Sequence, residues 1–593
     1  MHRGYIVRII LFVVVGIAAW NYFLIKQLYH IQINRHDELL GKARRLCSYT
    51  VKESGRRGSI LDKNGKLLAS DLIHFEVSLY KPKFKQVKNR QGEVVKIDPE
   101  ILINDLHTVF HTPVPVLRKR LKPGKPYQII VAKEVNVSIY DMIQSNTFET
   151  SDIAKLIQYP SIFKKLDFRK TYSRFYPNDR LMSHVIGYQS FDDETKTNVG
   201  RIGIEKSWNQ DLSPKAEGEV SYLRGAKGNI VRFSEVSRKE PVHGSNVYLT
   251  IREPIQSIIE TELKKLVKKF KPKSAYIMMA NPKTGALLGM AQYPSFNLND
   301  RSNLKQDELR NRMLVDYFDP GSTMKGISIA SALDAGVVGL KDKFYCEKGY
   351  WGRWKLKDSH ANESIDVATI VQESSNIGTA KVCMKLGKAR LWRYLRKFGF
   401  GQYPDLKLGP EEPGLLRHPR NWWEISITRI PMGQGISVTA AQMMQAYCAL
   451  ANEGVMMQLY AVDRIEDPNN ETVKVFQPKV KRHVISPEAA QDIITALSLV
   501  TQSGGTARRA AIDGLNVAGK TGTSQKVINR TYSHSKYVAS FIGFLPAENP
   551  EFVLMVVADE PQGSHYGGVV AAPTFKNIAV ETLKYIQTDP LEK

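Results

Sequence analysis

The chain has 593 residues, too many for one hydrophobic core, so several domains are expected. An apolar share of 42% against 24% charged is that of ordinary globular domains and excludes wholesale disorder. The formal net charge of +25 calls for an acidic partner. No zinc-finger spacing, RNP-like aromatic motif or basic heptad region supports nucleic acid, which leaves an anionic membrane surface or an acidic wall polymer.

Residues 9–25 are apolar except for Asn21, about the minimum length that spans a bilayer. Gly16-Ile17-Ala18 resembles a signal-peptide cleavage site, but the apolar run continues through Trp20, Tyr22, Phe23 and Leu24, as in an uncleaved anchor. Arg3 and Arg8 precede the span, whereas Lys26, Arg35, Lys42, Arg44 and Arg45 follow it, and charge counting alone would turn it the wrong way round. Large domains translocate with limited regard to such charges, and the chemistry below needs an extracytoplasmic substrate. Residues 1–25 therefore read as a cytoplasmic tail and single-pass anchor, and 26–52 as a charged helical stalk.

A first globular region, 53–240, mixes short strands such as 75–80 and 127–132 with Gly and Pro turns. Its polar end, 215–243, carries Gly218, Gly225 and Gly228 and reads as an extended connection. The second region, 241–593, opens with a strand at 247–251 and a helix from 254 to 270, where Pro254 suits the first turn. Strands at 275–280 and 287–293 flank the turn 281–285. Further strands are expected at 515–524, 537–544 and 552–559, closed by a helix over 573–587. Strands at both ends with helices between them predict a sheet assembled from distant segments, hence a multidomain α+β protein.

The chemistry-bearing feature is Pro320-Gly321-Ser322-Thr323-Met324-Lys325. Ser-x-x-Lys also starts at Ser78, Ser161, Ser302 and Ser533, so the pair alone is weak. Only Ser322 follows a Pro-Gly turn and precedes an apolar run of small residues, 327–333, that reads as a buried helix. Residues i and i+3 share a helix face, so Lys325 can reach the Ser322 hydroxyl. Ser374-Ser375-Asn376 and Lys520-Thr521-Gly522-Thr523 follow in order. The three together are the active-serine signature of penicillin-binding proteins and serine β-lactamases.

The resemblance extends over nearly the whole chain. The segment Arg57-Gly58-Ser59-Ile60-Leu61-Asp62-Lys63-Asn64-Gly65 resembles the opening motif of the non-catalytic pedestal, or dimerisation domain, of class B penicillin-binding proteins. Arg174-Phe175-Tyr176-Pro177 with His184 and Gly187, then Gly200-Arg201-Ile202-Gly203-Ile204-Glu205, resemble the second and third pedestal motifs. Lys520–Lys526, Ser540–Phe544, Asp559-Glu560-Pro561, Tyr566-Gly567-Gly568 and Ala571-Ala572-Pro573 are similar to the division branch, the FtsI-type septal D,D-transpeptidases. Asp179 stands where the second motif usually has glycine, and Arg252 where aspartate often follows Leu-Thr-Ile.

The resemblance implies a β-lactamase-like catalytic domain, an antiparallel sheet flanked by helices, with no cofactor and no metal. Ser322 would be the nucleophile and Lys325 its base, its pKa lowered by desolvation and by the neighbouring cation Lys520. Ser374 would relay a proton to the leaving amine, and Asn376 would hold a substrate amide. Lys520, Thr521 and Thr523 on an edge strand would receive a carboxylate, with Gly522 letting the substrate backbone approach. The backbone N–H groups of Ser322 and Thr523 would form the oxyanion hole. The implied partners are peptidoglycan stem peptides, β-lactams, a membrane-spanning SEDS-type glycosyltransferase and other division proteins, at the bacterial cytoplasmic membrane.

Alternatives stay open. An elongation-type class B transpeptidase shares every motif. A β-lactam sensor or division scaffold would keep the site, although only about eight residues precede the span. A β-lactamase needs a deacylating glutamate; Glu412-Pro413-Gly414-Leu415-Leu416 echoes that loop but has leucine where asparagine is needed. Trp351 and Trp354 suit packing or sugar stacking, and His184 suits a structural hydrogen bond. The cysteines, Cys47, Cys346, Cys383 and Cys448, form no CxxC; spacing leaves a Cys346–Cys383 disulfide undecided.

Overall fold

The computed structural model describes residues 2–80, 86–122, 128–145, 147–195, 197–224, 230–528 and 531–588. The chain divides into two compact units, Met1–Arg56 with His74–Tyr172 and Pro214–His243, and Arg57–Ile73 with Ser173–Ser213 and Gly244–Lys593.

The first unit begins with the helix His2–Tyr29, within a stretch, Arg3–Asn34, long and apolar enough to cross a membrane. A π-helical turn, His30–Asn34, leads into the helix His36–Cys47, whose first turn carries Asp37 and Glu38 against the helix dipole. Helical structure stops there, short of the expected residue 52. Ser48–Glu53 is a strand, paired antiparallel with Gly218–Arg224, which pairs in turn with Ile230–Lys239. The stretch expected to be an extended connection is thus a sheet. Gly218 and Val220 are buried in it with exposed Glu219 between them, and the flanking glycines and charges hide that two-residue period in the sequence.

Elsewhere in this unit the strand running out to Tyr80 pairs with Gln128–Asn136. Tyr127, expected to start that strand, lies outside the described residues. The helix Pro99–Phe110 is capped by Asp98, which accepts from the Glu100 N–H, with Pro99 in the first turn. Its Leu106 joins Val131, Ile143, Phe148 and Phe163 in a separate apolar core.

The second unit holds an antiparallel five-stranded sheet of β1 (Ser274–Ala280), β2 (Leu287–Tyr293), β3 (Ala518–Ile528), β4 (Thr531–Leu545) and β5 (Phe552–Asp559). Its order is β2-β1-β5-β4-β3, so segments as far apart in the chain as Ser274 and Asp559 lie side by side, and β3 is an edge. Every residue of β1 is buried, as its unbroken apolar run requires of a strand covered on both faces. The helices are α1 (Glu253–Phe270), α2 (Met324–Asp334), α3 (Asn376–Leu386), α4 (Ala440–Leu450), α5 (Pro487–Leu499) and α6 (Ala572–Thr588). Helices α1 and α6 pack on each other and on the sheet, α4 on β1 and β5, and α5 on α2 and β3.

The three pedestal-type motifs meet inside this second unit. Arg57 Nε and Arg174 Nε each lie 2.7 Å from a Glu205 carboxylate oxygen, with all three side chains buried. Arg57 also donates to Asn209 and Ser213, and Arg174 to the Gly58 carbonyl and Asp71. Two guanidinium forks around one carboxylate satisfy charges that burial would otherwise penalise by several kcal/mol.

Both departures from the family pattern have local explanations. Asp179 has φ of 45°, a left-handed backbone that suits glycine and is tolerated by aspartate, and it accepts from Asn299. Arg252 occupies the N-cap of α1 without capping it; Asp62 reaches the Glu253 N–H at 3.0 Å and supplies the acceptor instead.

Candidate active site

Ser322 lies on a single 3-10 turn, Gly321–Thr323, that opens α2. Gly321 turns the chain with φ of 57°, and the Thr323 hydroxyl donates back to the Pro320 carbonyl. From α4, the buried Tyr447 hydroxyl donates to the Thr323 carbonyl at 2.7 Å and fixes the turn. Ser322 is half-buried. The other four Ser-x-x-Lys serines lack this setting: Ser78 lies on a strand, and Ser161, Ser302 and Ser533 donate to or pair with neighbours outside the site.

Lys325 is fully buried, one helical turn on. Its Nζ donates to the Ser374 carbonyl at 2.5 Å, to Asn376 Oδ1 at 2.7 Å and to Ser374 Oγ at 3.1 Å. These are three acceptors for a three-donor ammonium; among the described residues no hydrogen bond joins Lys325 to the Ser322 hydroxyl. Burial lowers the Lys325 pKa to about 7, and the Asp358 carboxylate partly offsets it. A neutral amine keeps two donors and gains a lone pair, which makes it a base.

Ser374 sits at φ of 63°, where a non-glycine residue carries about 1–3 kcal/mol of strain. Ser375 caps α3, accepting from the Gly378 N–H at 2.9 Å. Asp358 holds this corner and was not legible as a site residue: in Lys357-Asp358-Ser359 it reads as a polar loop. It accepts from Ser375 Oγ at 2.5 Å, Asn376 N at 2.6 Å and Ile377 N at 3.1 Å.

Edge strand β3 carries Lys520, Thr521, Gly522 and Thr523. Lys520 is fully buried and its Nζ has no hydrogen-bond partner among the described residues. Burial, and then the charge of Lys325, push its pKa well below that of a free lysine. Of the two causes expected to lower Lys325, desolvation is the one that acts on it, and the repulsion between the two amines falls on Lys520. Thr521 Oγ1 pairs with Thr506 Oγ1 at 3.0 Å, and Thr523 Oγ1 accepts from the Gly567 N–H at 3.2 Å.

Gly522 also serves otherwise than expected. A Cβ there would meet Ser540 Oγ at 2.3 Å, the Thr323 methyl at 3.0 Å and the Pro320 carbonyl at 3.1 Å. The missing side chain lets the serine turn dock on β3.

Of the remaining candidates, Trp354 is buried with Cys346, Leu356 and Ile377 and meets Trp351 edge-on at 6.1 Å, which makes it a packing residue. His184 is buried, bonded to Gln292 and the Glu308 carbonyl, with its pKa lowered by burial to about 4. Glu412 is exposed. Cys346, Cys383 and Cys448 are free buried thiols, so the open disulfide does not form; the Cys47 side chain lies outside the described residues.

The penicillin binding protein transpeptidase domain pattern matches residues 275–579, and the penicillin-binding protein dimerisation domain pattern matches 52–249. The chain is 29% identical over 582 residues to the probable peptidoglycan D,D-transpeptidase PenA of Neisseria meningitidis, covering 98% of this chain and 93% of that one. It is 30% identical over 577 residues to stage V sporulation protein D of Bacillus subtilis, covering 95% and 83%. It is 27% identical over 571 residues to the peptidoglycan D,D-transpeptidase FtsI of Escherichia coli, covering 96% and 90%. The crystal structure of penicillin binding protein 2X from Streptococcus thermophilus has the same fold, with a TM-score of 0.73 at 22% identity over 90% of this chain and 80% of that one. With the match running from the sheet through helices α2 to α5 and the polar groups gathered around Ser322, the chain belongs to the penicillin-binding protein transpeptidase family.

Proposed function

We propose that this chain is a membrane-anchored class B peptidoglycan D,D-transpeptidase that cross-links stem peptides at the division septum through an acyl-enzyme on Ser322. The observation that carries the reading is the buried Lys325, brought near neutrality within hydrogen-bond reach of Ser374 and Asn376, one helical turn from Ser322. In this mechanism Ser322 Oγ attacks the carbonyl of the penultimate D-alanine while Lys325 takes its proton. The Ser322 and Thr523 N–H groups receive the developing oxyanion. Ser374 passes a proton to the leaving D-alanine amine as the C–N bond breaks. The amine of a second stem peptide then attacks the ester, and Ser322 regains its proton.

Lys520 takes the terminal carboxylate, with the hydroxyls of Thr521 and Thr523 beside it, and Asn376 holds a backbone amide of the donor peptide. β-Lactams enter as stem-peptide mimics and stop at the ester. The septal assignment rests on the segments around Lys520, Ser540, Asp559, Tyr566 and Ala571 that resemble the division branch, and on the E. coli relative named FtsI. By the same resemblance a SEDS-type glycosyltransferase supplies the glycan, and the first helix keeps the enzyme beside it.

Fluorescent penicillin should label the wild-type chain and leave Ser322→Ala unlabelled; adduct recovered at Ser302 or Ser533 would overturn the nucleophile assignment. Adduct imaged along the side wall, with none at the septum, would replace the division role with an elongation role.

A further inference from the structure

In the Ser-Asp-Asn form of this signature the middle motif itself carries a carboxylate. Here the middle residue is Ser375, and no carboxylate is available from that position. We infer that Asp358 is a positioning residue for the acyl transfer, supplying from a separate loop the carboxylate that Ser375 lacks and holding Ser374 and Asn376 against Lys325. This rests on the acyl-enzyme reading of Ser322.

Four observations carry it. Asp358 is 8% exposed, and its two oxygens take three hydrogen bonds from three consecutive residues: Ser375 Oγ, Asn376 N and Ile377 N. Two of those donors are N–H groups at the start of α3, which have no partner within the helix and face a carboxylate favourably. Ser374, immediately before, is the residue held at φ of 63°; a strained conformation persists only where its surroundings fix it. Finally, the loop carrying Asp358 also holds Asn376 from its other end, since Asn376 Nδ2 donates to the Lys357 carbonyl at 2.7 Å, leaving Oδ1 for Lys325.

Asp358 acts on Lys325 by charge as well, favouring its protonated form. Other titratable groups adjoin this corner. Lys520 faces Lys325 from β3, Tyr447 packs by Gly326 from α4, Cys383 lies on α3, and Cys346 sits behind Ser375 with Lys381 and Glu347 beyond it. Burial holds Tyr447, Cys346 and Cys383 neutral. Lys520 is common to every variant compared below.

The test measures second-order acylation of the full-length, detergent-solubilised chain by fluorescent penicillin between pH 5 and 9. Asp358→Asn should slow acylation ten- to a hundredfold and move the acid limb to lower pH, because removing the anion favours neutral Lys325. Asp358→Asn with Ser375→Asp returns a carboxylate to the middle position, where aspartate also caps α3; it should recover most of the rate and move the limb back up. If Asp358→Asn fails to fold, Ser375→Ala keeps the charge and removes one tie, and it should slow acylation without moving the limb. An unmoved limb in folded Asp358→Asn, no rescue in the folded double variant, or a shifted limb in Ser375→Ala would each overturn the inference. Failure of the acyl-enzyme reading would show separately, as a wild-type chain that takes no label at Ser322.

Discussion

Lys325 and Lys520 bring two buried amines to one site, and they differ in what surrounds them. Lys325 has three acceptors, whereas Lys520 has none and feels the charge of Lys325. In the proposed mechanism the first serves as the base and the second receives the substrate carboxylate. Neither could hold its role in water, where both would be charged.

The first consequence is a pH dependence. Below about 7 Lys325 is protonated and lacks a lone pair, so acylation should fall as pH drops through that value and level off above it. Stability should move in the same direction. Because the folded-state pKa is depressed from 10.5 to about 7, the unfolded chain binds more protons between those values, and stability rises with pH across that window. Acylation constants measured from pH 5 to 9 check the first part; a flat profile would remove Lys325 as the base.

A bound carboxylate should raise the Lys520 pKa, offsetting the burial that depresses it. Binding of a carboxylate-bearing β-lactam is therefore expected to take up protons, readable by calorimetry in buffers of different ionisation enthalpy. Lys520→Ala should slow such compounds by roughly 10–100-fold, the equivalent of a charged hydrogen bond of about 1.5–3 kcal/mol. Neutral ester analogues should be slowed less, and Lys520→Arg should rescue only in part, since a planar fork replaces a compact ammonium. Equal slowing of both substrate types would mean that Lys520 acts through Lys325 alone.

The candidate site residues were legible because acyl transfer restricts which groups can stand at short, fixed spacings: Ser322 and Lys325 share one turn, and Lys520 to Thr523 share one strand. The strands β1, β2 and β5 were legible from their continuous apolar runs. Asp358 and Tyr447 were not, because each acts across more than 15 residues of chain and neither lies in a periodic pattern. The sheet of Ser48–Glu53, Gly218–Arg224 and Ile230–Lys239 was missed because its polar, glycine-flanked strands resemble loops. The packing of Gly522 against the serine turn was not legible, because a sequence shows that a side chain is missing but not which neighbour fills its place.

That neighbour makes Gly522 a sensitive position. Gly522→Ala puts a methyl group against the Thr323 methyl and the Pro320 carbonyl, which belong to the serine turn, and against Ser540 Oγ. Overpacking of this kind costs about 1–3 kcal/mol, and its displacement falls on the nucleophile. Acylation should drop at least tenfold while the fold persists by circular dichroism. Adding Ser540→Ala removes the shortest clash and should recover part of the rate. Wild-type acylation by Gly522→Ala would return Gly522 to the role of clearing space for substrate.

The buried charge cluster gives the last prediction. Among the described residues Glu205 is the only carboxylate within 2.7 Å of both the Arg57 and the Arg174 guanidinium, and it is fully buried. Glu205→Gln keeps the shape but leaves the Arg174 guanidinium with Asp71 and the Gly58 carbonyl, and the Arg57 guanidinium with only neutral acceptors on Asn209, Ser213 and the backbone of residue 205. Removing one partner of a buried pair costs about 3–5 kcal/mol. The chemical-denaturation midpoint of the second unit should fall accordingly, and fluorescent penicillin labelling of the surviving folded fraction should proceed at the wild-type rate, since no residue of the cluster hydrogen-bonds to Ser322, Lys325 or Lys520 among the described residues. Replacing all three with a well-packed apolar set should cost less than the single change, because it removes the uncompensated charges together. A Glu205→Gln chain as stable as wild type would show that water or a neighbour already screens the two arginines, and the cluster would lose its place as the tie between the three motifs.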